Sequence, residues 1–111
     1  MKDFEQIGLL GNGFSDLAKA KFSELEEPEK VAGVLLVTAG VNSGFKLERA
    51  DLDYLIKNLV LVIKNLYPNW LVSDVSDAIS LGSIGHYGEI FKLTLSTVNG
   101  WLKKHQAVIS W

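Results

Sequence analysis

The chain contains no cysteine. Disulfide bridges, thiolate zinc sites and cysteine nucleophiles are therefore excluded, and the absence suits a reducing compartment. Positive charge is also scarce. Eleven Lys and Arg stand against thirteen Asp and Glu, a formal charge of −2, so no global field draws the molecule onto nucleic acid or an anionic membrane. Long apolar runs are missing. The longest, Leu52 to Leu66, is interrupted by Lys57, Asn58, Lys64 and Asn65, and falls short of the roughly 20 apolar residues that cross a bilayer. The opening MKDFEQIGLLGNG puts Asp3, Glu5 and Gly8 where a secretory apolar segment would stand. The expected compartment is the cytoplasm, with no membrane partner.

The residues that do chemistry are thinly spread. His86 and His105 lie far apart, and only Glu89 stands at helical spacing from either. Catalytic zinc takes three protein ligands and an open position, which one His–Glu pair does not supply. Asp74 and Asp77 occupy ordinary first-turn positions of a helix, where the dipole favours negative charge. Nothing resembles a nucleophile elbow or a catalytic triad. The expectation is a protein that is not an enzyme, with no catalytic, cofactor-binding or metal-ligating residues.

What the chain does have is apolar substance: 48% of 111 residues, enough for one domain, residues 1–111, with its own core. The two prolines punctuate helices. Pro28 fits a first helical turn, where a missing N–H costs little. The stretch EKVAGVLLVTAG after it is apolar on almost every face, as in a helix at the centre of a fold. Upstream, a Ser15 cap, Asp16 and the stripe Leu17, Ala18, Phe22, Leu25 predict an amphipathic helix. GVNSGF reads as a loop. About Glu48 to Tyr67 is the longest helix, with an apolar face so wide that neighbouring helices, another copy, or both must cover it. Ser73 is the predicted cap of a helix burying Val75, Ala78, Ile79 and, less directly, Leu81, with Gly82 as its stop. HYGEIF reads as a single turn. Ser96 or Thr94 opens a last helix with Val98, Trp101 and Leu102 inward and Lys103 and Lys104 in its final turn. The tail AVISW is expected to pack back. The sum is an all-α, compact bundle of about five helices.

Two glycine runs invite a phosphate reading: GLLGNGF, with Gly8, Gly11 and Gly13, and GSIGHYG, with Gly82, Gly85 and Gly88. Neither is followed by the lysine–hydroxyl pair of a P-loop, and neither has the order of a dinucleotide fingerprint. The G-x-x-G of one RNA-binding module needs a sheet that the helical pattern does not offer. Bends between helices explain the glycines better. DVSDAISLG followed by LSTVNGWLKKH looks like a helix-turn-helix, yet Ser83 to Leu95 separate the two segments where that motif uses about 3–4 residues. From Gly82 onward three lysines face one glutamate, a locally positive stretch. Three phosphate contacts support only weak, salt-sensitive DNA binding. Tyr67, Trp70, Tyr87, Phe91, Trp101 and Trp111 crowd the second half. Rings interleaved with basic residues can stack single-stranded bases, but in a small helical domain they mostly fill the core. Trp101 and Phe91 are expected inside and Tyr87 at the surface. The predicted partner contacts are Tyr87, Lys92, Asn99, Lys103 and Lys104.

The segment LYPNWLVSDVSDAISLGSIGHYGEIFKLTLSTVNGWLKKH, about residues 67–105, resembles a pattern found in small helical proteins of bacteriophages and prophages. The matching residues are Pro68, Leu71, Asp74, Val75, Ala78, Ile79, Gly82, Gly85, Tyr87, Gly88, Leu93, Thr97, Val98, Trp101 and Leu102. Val72 stands where the pattern has a hydroxyl. The resemblance implies a phage or mobile-element accessory or adaptor protein that acts near DNA replication by contacting a larger machine, and brings no catalytic residues. The alternative reading is a helix-turn-helix-like DNA-binding regulator using the last helix. A protein partner is expected in the first case and DNA in the second, with a homodimer through the long helix compatible with either.

Overall fold

The computed structural model describes residues 17–90 and 92–109. Ser15, Asp16, the first glycine run, Phe91 and Trp111, on which expectations were placed above, lie outside the described residues. Within them there are four α-helices: α1 (Pro28–Ser43), α2 (Arg49–Leu66), α3 (Val72–Ser83) and α4 (Leu95–Ile109). α1 packs on α2 and α3, α3 on α4, and α2 on α4. The described residues are thus all-helical apart from connections, with four helices in place of about five.

The helix expected from Ser15 onward is the one that is not found as drawn. Its described part breaks after Ala18, and Lys21 is extended and forms a single antiparallel bridge with Leu71. Phe22 donates its N–H to the Trp70 carbonyl at 2.9 Å, and Val72 donates to Ala20 at the same distance. A short 3-10 turn, Phe22–Glu24, then plugs the fully buried Phe22 into the core. The apolar stripe was real, but an aromatic anchor and two backbone bonds to the α2–α3 connection outweigh helix propensities of well under 1 kcal/mol per residue.

α1 begins with Pro28 at its first position, as the sequence suggests, but runs on into the predicted loop as far as Ser43. It closes at Gly44 in the left-handed conformation (φ 78°). Gly44 N–H reaches the Val41 carbonyl at 3.3 Å, and Phe45 N–H reaches that of Gly40 at 3.0 Å. That pair of bonds is a Schellman closure. α2 covers nearly the predicted span and buries Leu55, Leu59, Val60 and Ile63. α3 buries Val72, Val75, Ala78 and Ile79, with Leu81 half-buried. Its cap is not Ser73: the N-cap is Leu71, two residues earlier, and the Asp74 carboxylate accepts the Leu71 N–H at 2.9 Å. α4 is capped by Thr94, whose hydroxyl accepts the Thr97 N–H at 3.3 Å.

α4 buries Val98, Trp101, Leu102 and His105 and continues to Ile109. Lys103 and Lys104 therefore sit a turn short of its end, not in the final turn. Ala107, Val108 and Ile109 are helical and exposed, so this part of the tail does not pack back. The core joins Phe22 to Leu36, Leu59, Ile63, Val75, Ile79, Val98 and Leu102, all essentially inaccessible. Each such side chain contributes about 1.5–3 kcal/mol by leaving water. No helix among the described residues is long and apolar enough to cross a membrane.

Candidate interaction surface

The three glycines at 82, 85 and 88 divide into two jobs. Gly82 is inside α3, not its stop: the helix runs on to Ser83. A Cβ at Gly82 would enter the Trp101 indole, overlapping its Cδ2 and Cγ. The missing side chain is what lets α3 and α4 close on each other. Gly85 (φ 88°) and Gly88 (φ 124°) hold left-handed conformations in the turn that follows. This is backbone that side chains resist.

That turn lays Tyr87 against α4. Its hydroxyl meets His105 Nδ1 at 2.6 Å, and the Tyr87 carbonyl accepts a hydrogen bond from Lys104 Nζ. Burial, and secondarily the charge of Asp77, push the Tyr87 phenol above its usual value. The hydroxyl and Nδ1 share one hydrogen, and the His105 tautomer sets which of the two donates it. His105 is 5% exposed, and its Nε2 has no hydrogen-bond partner. The imidazole stands T-shaped to Trp70, centroids 5.7 Å apart, and Trp70 stacks on Tyr67 at 4.4 Å. Tyr67, Trp70 and Trp101 are all buried. These rings are occupied with packing.

The five predicted contact residues do not form one patch. Tyr87 and Lys104 are joined to each other and hold the turn on α4. Tyr87 is half-buried, short of the surface position expected of it. Asn99 is half-buried, with its Oδ1 enclosed and without a partner. Lys103 is exposed. Lys92, within the 84–94 connection, is exposed and lines a groove that the sequence did not announce.

The groove runs along the outer side of α1 and α2. One hollow of about 380 Å³ is lined by Gly33, Val34, Val37, Thr38 and Leu52. A second, about 390 Å³, shares Val37 and Leu52 and extends past Val41 and Gly44 to Phe45 and Leu47. The third, also about 390 Å³, shares the connecting residues Phe45, Lys46 and Leu47, with Tyr54, Leu55, Leu93 and Leu95 as its other walls. Val37, Val41 and Tyr54 are 50%, 77% and 58% exposed beside it. Lys46, Asp51 and Lys92 form the rim. Among the described residues none of these three side chains makes an ion pair or hydrogen bond. The signal was present in the sequence, because α1 is apolar on almost every face. The expectation that it would lie at the centre of the fold is corrected here: Val31, Ala32, Leu36 and Ala39 are buried, and the opposite face is open.

Among the described residues no group of three His, Asp or Glu side chains could hold a metal ion. No family model, curated protein or solved structure matches the chain.

Proposed function

We propose that this protein works by binding, as a non-catalytic accessory or adaptor whose partner is another protein surface. The observation that carries the reading is α1, a helix apolar on almost every face with Val37 and Val41 left in water. Such a helix is ordinarily enclosed, and exposed apolar surface of this kind marks interaction sites. The polar groups that a sequence reader would assign to chemistry are spent on architecture: Tyr87 on His105, Lys104 on the Tyr87 carbonyl, Asp74 on the Leu71 N–H. The setting, a phage or mobile element acting near DNA replication, rests on the resemblance of residues 67–105 alone.

The test is capture from extracts of phage-infected cells, comparing the wild-type chain with Val41→Lys at equal concentration. The reading expects partners held by the first to be lost from the second. A set of captured proteins identical for both would count against it. A DNA-binding regulator using α4 is the competing proposal. Eleven residues, 84–94, connect α3 to α4, against the 3–4 of the helix-turn-helix motif. Fluorescence anisotropy with duplex DNA at low salt decides this: binding that Lys103→Gln weakens would favour the regulator.

A further inference from the structure

We propose that the occupant of the α1–α2 groove is a second copy of this chain, joined about a two-fold axis; the inference rests on the reading of α1 as an interaction face. In a two-fold contact the same patch must supply both halves of every match, and this patch does. It offers two hollows of about 390 Å³ each that share Phe45, Lys46 and Leu47 as lining. It offers side chains to fill them, Val41 and Tyr54, both more than half exposed beside those hollows. An aromatic anchor seated in a partner's apolar pocket is the usual centre of interface energy.

The rim is self-complementary too. Lys46 and Lys92 carry positive charge, Asp51 carries negative charge, and all three are unpaired among the described residues. Asp51 and Tyr54 are three apart on α2, hence neighbours on one face. When Tyr54 of one copy enters the other's hollow, Asp51 arrives at the rim where the partner copy presents its lysines. A rim of one sign would have favoured an oppositely charged partner; a rim of both signs suits a copy of itself. The homodimer expected through the long helix is thereby placed on its N-terminal half together with α1, away from Leu61 and Leu66.

Sedimentation equilibrium of the full chain over a wide concentration range is the experiment. The wild type forms a dimer. Val41→Lys and Tyr54→Lys each weaken it by about thirtyfold or more, the scale of an interface anchor. Asp51→Lys weakens self-association by about tenfold, as does Lys46→Glu combined with Lys92→Glu, through like-charge contacts. Mixing these two charge variants restores a heterodimer, because every rim contact then joins opposite charges. Circular dichroism establishes that each variant is folded. A folded wild type that stays monomeric at the highest concentration overturns the inference, and so does a dimer indifferent to Val41→Lys. A monomer that still captures other proteins in a Val41-dependent way leaves the binding function standing and removes only the self-partner.

Discussion

The two ends of this molecule treat their apolar surface in opposite ways. Where α3 meets α4, every device serves closure: a glycine makes room for an indole, a Tyr–His pair pins the turn, and a lysine caps it from outside. Along α1 and α2 the same kind of side chains stand open to water around hollows that nothing in the chain's described residues fills. The difference teaches that aromatic richness marks the architectural end, while the aliphatic surplus is left uncovered along α1 and α2, the face proposed above for binding.

Substitutions at the closed end should cost stability and nothing else. Trp101→Ala removes the largest buried ring of α4 and should lower unfolding free energy by about 4 kcal/mol in urea titration. A loss below about 1 kcal/mol would mean that the indole is not the keystone of the α3–α4 contact. Gly82→Ala places a methyl inside that indole and should cost about 2–3 kcal/mol through overpacking. The pair should be strongly non-additive, because removing the ring removes the clash. If Gly82→Ala remains equally harmful in the Trp101→Ala background, the close approach is not its cause.

Tyr87→Phe should be milder, about 1 kcal/mol, since it leaves His105 Nδ1 without its hydrogen-bond partner. It also carries a pH signature. The Tyr87 phenol is raised in the folded state, so the folded chain holds that proton more tightly than the unfolded one. The associated stability is complete below the usual tyrosine value of about 10 and declines as pH rises above it. Stability measured from pH 9 upward should fall less steeply in Tyr87→Phe than in the wild type; equal slopes would remove Tyr87 from the account. At the open end, Val41→Lys should change stability by no more than about 0.5 kcal/mol.

The same contrast explains what could be read in the sequence. α2, α3 and α4 were legible because their apolar residues recur at helical spacing, with clear punctuation at Pro68 and Thr94. Residues 17–27 were not, since a stripe of Leu17, Phe22 and Leu25 fits a helix as well as it fits one buried ring held by long-range backbone bonds. Gly82 looked like a stop because a local reading cannot see that Trp101 arrives from another helix. Lys103 and Lys104 looked terminal because a cationic pair is favoured in a last helical turn, whereas α4 runs on past His105 and Gln106 through Ala107, Val108 and Ile109. The groove was half-legible: the nearly all-round apolar character of α1 announced a need for cover, but only packing shows which face goes without.

The most direct test of the central claim follows the methyl resonances of the wild-type chain as it is concentrated. Val37 and Val41 should shift together, and the Tyr54 ring with them, while Val108 and Ile84, exposed elsewhere, stay fixed. Resonances of Val37 and Val41 that do not move with concentration, or movement confined to Ile84 and Val108, would contradict the account.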